Sequence, residues 1–221
     1  MDKIVNKEAY DKVCDAWQRK YSNTLIKEGP VDWEKYIKSK PRLLWLLKEA
    51  ADDEKDLIRY LNKISNKDFS EYPNGWQKTM GCVVKTSYGI LKGGMEWGTW
   101  ANDAKELVDI LKSIAVIEVN KLGGGARNDY KELQKRWKEF KELISKQLQC
   151  LSPNIVICGN TLWLLKELLD INKTGGKHGD IITTNDCLWI DAYHPGQSKI
   201  KHIIYYTDII ASLKEYNAFA S

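Results

Sequence analysis

Apolar positions along this chain follow two rhythms. In one, they return every three or four residues with charged residues between them, the pattern of a helix with one buried face. Tyr10, Val13, Cys14, Trp17 and Tyr21 keep that spacing and predict a helix over 7–28, stopped by Gly29-Pro30. Asp32 stands where it can cap a short second helix starting at Trp33. The same rhythm predicts helices over 56–64, 76–91, 101–113, 130–149, 162–169 and 203–216. The longest of them, 130–149, carries Leu133, Trp137, Phe140, Leu143, Ile144 and Leu148 as its stripe. Pro73-Asn74-Gly75 marks a loop over 69–75, and Lys92-Gly93-Gly94 breaks the chain again.

In the second rhythm, apolar residues follow one another, broken only by Glu118, and end at a polar one. Leu43–Leu47, Ile114–Val119, Ile155–Cys158 and Leu188–Ile190 are such runs. Apolar on both faces, they read as strands buried inside a parallel sheet. Leu and Trp have little strand bias, so Leu43–Leu47 also suits a helix; Pro41 before it and the charged Lys48–Glu54 after it favour the strand. Ile181–Thr184 is a candidate edge strand. Strands that alternate with helices predict one α/β domain over residues 1–221. The expected architecture is a three-layer α/β/α sandwich around a central, mainly parallel four-stranded sheet, with residues 1–40 as a helical segment packed on it. Ligands of such sheets bind at the carboxyl ends of the strands. The polar residues ending the four runs, Glu49, Asn120, Asn160 and His194, are therefore expected to line one crevice.

Composition narrows the class. A 43% hydrophobic content supplies a core, and 29% charged residues supply a polar surface. No apolar run approaches the ~18 residues of a membrane span, and Met1–Glu8 lacks the apolar stretch of a secretory signal. The five cysteines are scattered and never spaced Cys-x-x-Cys, which predicts reduced thiols in a cytoplasmic protein and no zinc knuckle. A net charge of +4 is a mild basic excess, compatible with nucleic acid but too small to establish it. Nine tryptophans and eleven tyrosines could stack on bases, although packing is the default role for each.

Taken in order, the four strand ends resemble the uracil-DNA glycosylase superfamily. The closest stretch is 114–169: a strand, Asn120, the Gly-rich loop Gly123-Gly124-Gly125-Ala126-Arg127-Asn128, a long helix, then Ser152-Pro153-Asn154 leading a third strand. His194-Pro195 stands where the family carries its C-terminal His-Pro motif, and Lys48-Glu49-Ala50-Ala51-Asp52 is a degraded match to its first, acidic loop. The resemblance covers residues 41–215. It implies hydrolysis of the N-glycosidic bond of a flipped uracil or damaged base in DNA. In that chemistry a carboxylate stabilises an oxocarbenium-like sugar and a histidine stabilises the departing base. It further implies Glu49 or Asp52 (or Asp53) as the carboxylate, His194 as the leaving-group stabiliser, and Asn120 with Asn160 as base readers. Gly123, Gly124, Gly125, Arg127 and Gly196 would meet DNA phosphates. The family loop opens with Gly and contains Pro, where this chain has Lys48 and Ala51, and its His-Pro is followed by Ser, where this chain has Gly196. One family branch holds an iron–sulfur cluster on four cysteines that have no counterparts here, so no cofactor and no metal are expected. The implied partner is DNA, single- or double-stranded, met by a monomer with no membrane association.

Plainer roles exist for the same residues. His194 could be a turn histidine beside Pro195, Asn120 a turn residue, and Glu49 a helix-N-terminal acid. The triple glycine lacks Walker spacing. His178 and His202 read as surface residues, and the cysteines as small buried thiols. Two other function classes fit the same scaffold: a catalytically inactive nucleic-acid- or nucleotide-binding module, and a small-molecule hydrolase.

Overall fold

The computed structural model describes residues 4–49, 56–66, 74–100, 104–122, 130–171, 176–184 and 187–219, with Glu49, 74–78 and Ala104 described by their backbone. The apolar runs are strands: β2 (Leu43–Glu49), β3 (Ile114–Asn120), β4 (Ile155–Gly159) and β6 (Cys187–Ala192). They pair in parallel in the spatial order β3-β2-β4-β6. Two antiparallel edges complete the sheet, β1 (Gly29–Pro30) against β3 and β5 (Ile181–Thr184) against β6. The sheet thus has six strands where the apolar runs predict four. The candidate edge strand is β5; β1 is too short, and too rich in turn signals, to announce itself. A proline suits that edge, since it has no N–H to offer a further strand.

Helices α3 (Leu57–Ser65), α4 (Asn74–Leu91), α5 (Ala104–Asp109) and α8 (His202–Glu215) cover one face of the sheet, packing on Leu43, Trp45, Leu47, Ile114, Val116, Ile157 and Ile190. Helices α1 (Lys7–Lys20) and α6 (Tyr130–Leu151) share the other face with α2 (Trp33–Lys38) and α7 (Lys166–Leu169), on Leu44, Leu46, Ala115, Ile117, Val156, Cys158 and Trp189. Alternate residues of each strand feed alternate cores, which is why the central parts of the strands are apolar on both faces, Glu118 excepted. Three layers result, as expected.

Local deviations have local causes. The first helix ends at Lys20 rather than near 28, because its apolar spacing stops at Tyr21 and Ser22 and Asn23 turn left-handed. The chain then runs beside β3, with the Ile26 N–H donating to Lys121 O at 2.8 Å and the Val31 N–H to Ile114 O at 3.1 Å. The stretch expected as a helix over 162–169 is a 3-10 turn, Leu162–Leu164, followed by the single turn of α7. Residues 69–73 of the predicted loop lie outside the described residues, and its last two, Asn74 and Gly75, instead open α4. No helix among those described is long and apolar enough to cross a membrane.

Candidate functional site at the carboxyl rim of the sheet

In chain order the parallel strands lie second, first, third, fourth. The chain leaves β2 toward one edge and resumes at β4 on its other side, so β2 and β4 flank the point where strand order reverses. A crevice opens at the carboxyl ends there. Register fixes what stands beside it: Glu49 pairs with Asn120, and Gly159 with Ala192, so Asn160 and Tyr193 leave the sheet side by side.

His194 sits in a tight turn that the Gln197 N–H closes onto its carbonyl at 3.0 Å. The Gly196 N–H donates to His194 Nδ1 at 3.1 Å. A nitrogen that accepts carries no proton, so the ring's proton is on Nε2. Burial, aided by the charge of Lys48, lowers the His194 pKa to about 4. The imidazole is therefore neutral at pH 7, with Nε2–H as its donor. A Cβ on Gly196 would meet Thr79 Oγ1 on α4, so a larger residue here requires that hydroxyl to turn away.

The residue before His194 is braced from three sides. The Tyr193 N–H donates to His178 Nδ1 at 3.2 Å, Tyr205 Oη donates to Tyr193 O at 2.9 Å, and the Tyr193 ring stacks on the His178 ring at 5.1 Å and 4°. His178 Nε2 lies 3.0 Å from Tyr205 O and, by the same tautomer argument, donates to it. The surface position expected of His178 is thus corrected. It is 6% exposed, and burial lowers its pKa. Its sequence surroundings, a Gly-rich loop, gave no sign of this; only the fold carries that loop beneath α8. His202 is half-buried.

Asn120 is 5% exposed, and its Oδ1 accepts from the Leu122 N–H at 3.2 Å, a local turn that holds the carboxamide. Lys121 follows, 1% exposed, ion-paired to Glu28 and donating to Gln147 Oε1 at 2.9 Å. Gln147 Nε2 donates to Glu28 Oε1 at 3.0 Å and to Tyr10 Oη at 3.1 Å. This buried network pins the end of β3. Glu118, 2% exposed and two residues before Asn120 on the same face of β3, is a carboxylate that the motif reading missed. Its signal was a lone acid inside an apolar run.

Asn160 adopts a left-handed φ of 59°, which accounts for an Asn at this point. Its Nδ2 lies 3.5 Å from Tyr130 Oη. Tyr130 opens α6, and its ring meets Trp163 at 5.6 Å and Lys48 Nζ at 5.4 Å. Lys48, noted in the sequence only as a departure from a motif, is thus near both His194 and Tyr130.

The rim therefore gathers Lys48, Asn160 and His194 across the β2–β4–β6 ends, with Asn120 one strand further out. Asn120 and His194 are three strand spacings apart, ~14 Å between backbones. The Glu49 side chain, Asp52, Gly123, Gly124, Gly125 and Arg127 lie outside the described residues. Among the described residues no cluster of His, Cys, Asp and Glu could hold a metal ion. A cavity of about 280 Å³, lined by Leu148, Leu169, Cys187 and Trp189 among others, lies at the opposite end of the sheet. No protein-family model matches this chain, and no curated protein matches it either.

Proposed function

We propose that the rim binds a nucleobase extruded from DNA and hydrolyses its N-glycosidic bond, in the manner of the uracil-DNA glycosylase superfamily that the strand-end motifs resemble. The observation that carries this reading is the neutral His194 held with its proton on Nε2. Cleavage of C1′–N leaves both bonding electrons on the base, while water adds its oxygen to the sugar carbon and the proton it loses ends on the released base. A poorly acidic N–H on a partly buried ring, its tautomer fixed by the Gly196 N–H, stabilises that base anion without having to surrender its proton. The sugar cation calls for a carboxylate, from Glu49 or Asp52 in the loop or from Glu118 on β3. Asn120, with an amide donor and acceptor, suits the polar edge of a pyrimidine. The order of the parallel strands around the switch point is compatible with the same reading.

The test is release of uracil from a single-stranded oligonucleotide by the purified full chain. Release is expected, abolished by His194→Ala and reduced ~100-fold or more by Asn120→Asp. No release from uracil, hypoxanthine or alkylated-base substrates would sink the enzymatic reading. A second reading, a non-catalytic nucleic-acid-binding module, is favoured by one observation. Gly196 occupies the position where the resembling family has a phosphate-gripping Ser, and the Thr79 hydroxyl stands where a side chain at this position would begin. Salt-dependent binding without base release is its signature.

A further inference from the structure

We infer that Lys48, Tyr130 and Trp163 form a stacking subsite for one unpaired nucleotide of a single DNA strand, beside the His194 rim and at the strand-order switch point. The inference rests on the proposed nucleic-acid reading but not on base cleavage. Tyr130 is 58% exposed, an unusual placing for a ring on the first turn of a helix whose stripe is otherwise buried. It is nonetheless held in position. Trp163 packs on it at 5.6 Å and 52°, Trp163 Nε1 donates to Asn160 O at 3.2 Å, and Asn160 Nδ2 lies 3.5 Å from its hydroxyl. The result is an aromatic surface fixed to the end of β4 with its outer area facing solvent.

Lys48 completes the subsite. It stands at the end of β2, the neighbouring strand, with Nζ 5.4 Å from the centre of the Tyr130 ring. The ammonium lies over the ring and Trp163 tilts against it, yet more than half of the Tyr130 side chain stays exposed, so a base stacks on that exposed part and brings its phosphate to the ammonium. The placement also fits the mechanism. Lys48 is close enough to His194 for its charge to disfavour the imidazolium, so a strand whose phosphate meets Lys48 passes beside the base-capturing turn. Because stacking reads any π-face, the subsite takes an unpaired nucleotide of any sequence. A base-paired duplex hides those faces, which makes single-stranded DNA the preferred partner.

The probe is a fluorescein-labelled, uracil-free thymidine decamer, titrated with the full chain and followed by anisotropy across a salt series. Tyr130→Ala is expected to weaken binding ~10-fold or more, while Tyr130→Phe, which keeps the ring, stays within ~2-fold of the parent. Lys48→Gln is expected to lower the slope of log affinity against log salt by ~0.7, the loss of one single-strand phosphate contact. It provides a second reading should Tyr130→Ala lose its fold by circular dichroism. Unchanged affinity in folded Tyr130→Ala, or an unchanged salt slope in Lys48→Gln, overturns the subsite, as does a parent protein that prefers duplex. Uracil release is scored separately. Release without dependence on Tyr130 overturns this inference and leaves the glycosylase reading standing; binding through Tyr130 without release does the reverse.

Discussion

At the scale of single residues, two histidines are held neutral by the same device, a backbone N–H donating to Nδ1 in a half-buried or buried ring. Protonating either would set two donors against each other and charge a desolvated ring. The unfolded chain has no such penalty and takes up the proton near the usual 6.5. Between that pH and about 4, where the folded His194 titrates, the unfolded state binds more protons, so stability rises with pH across the window and is lost as pH falls through it. The contribution of His194 is at most ~3 kcal/mol. Urea midpoints measured at pH 7.5, 5.5 and 4.5 should fall progressively. Asp191, raised by burial, pushes in the opposite direction, so the comparison that isolates the histidine is with His194→Gln. That variant should show a shallower fall; an identical pH profile would mean that the ring is not held neutral by its surroundings.

At the scale of elements, the rim depends on how β3 ends. Lys121, Glu28, Gln147 and Tyr10 come from four separate stretches of chain, and their polar atoms meet in one buried cluster. Tyr10 Oη donates to the Glu28 carbonyl at 2.8 Å, and the Glu118 N–H donates to Glu28 Oε2 at 2.8 Å, so the carboxylate also grips the strand beside Asn120. A buried pair of this kind is costly to break on one side, because the remaining charge keeps its desolvation cost without its partner. Glu28→Gln should lower stability by ~3–5 kcal/mol, read from the urea midpoint at unchanged slope. Combining it with Lys121→Met should restore part of that loss. Additive losses in the double variant would show that the two groups do not act as a pair.

At the scale of the whole molecule, the N-terminal segment packs on one face of the sheet. Tyr10, Val13, Trp17 and Tyr21 pack on the core shared with Phe140 and the inner face of the sheet, and the segment after α1 supplies both β1 and Glu28. Removing residues 1–23 takes away this cover and leaves Gln147 without Tyr10. The shortened chain should lose its cooperative urea transition and bind a hydrophobic dye. A sharp transition retained at the parent midpoint would mean that the segment is an ornament.

What the sequence by itself determined is whatever local pattern controls. The runs Leu43–Leu47, Ile114–Val119 and Ile155–Cys158 declared themselves because a strand buried on both faces has almost no polar phase, and α6 because its stripe recurs from Leu133 to Leu148. The polar residues ending the runs, Asn120, Asn160 and His194, were legible for the same reason, as was their common position at the carboxyl rim. What only the tertiary structure decided is whatever depends on a partner far along the chain. β1 exists because β3 offers it an edge. His178 is buried because Tyr193 and Tyr205 close on it. Lys121 tolerates burial because Glu28, 93 residues away, meets its charge. Lys48 was a blemish in a motif until folding set its ammonium beside a tyrosine that opens a distant helix. Spacing along a chain reports which face a residue shares with its neighbours; it carries no information about which ring, charge or backbone amide arrives there from elsewhere.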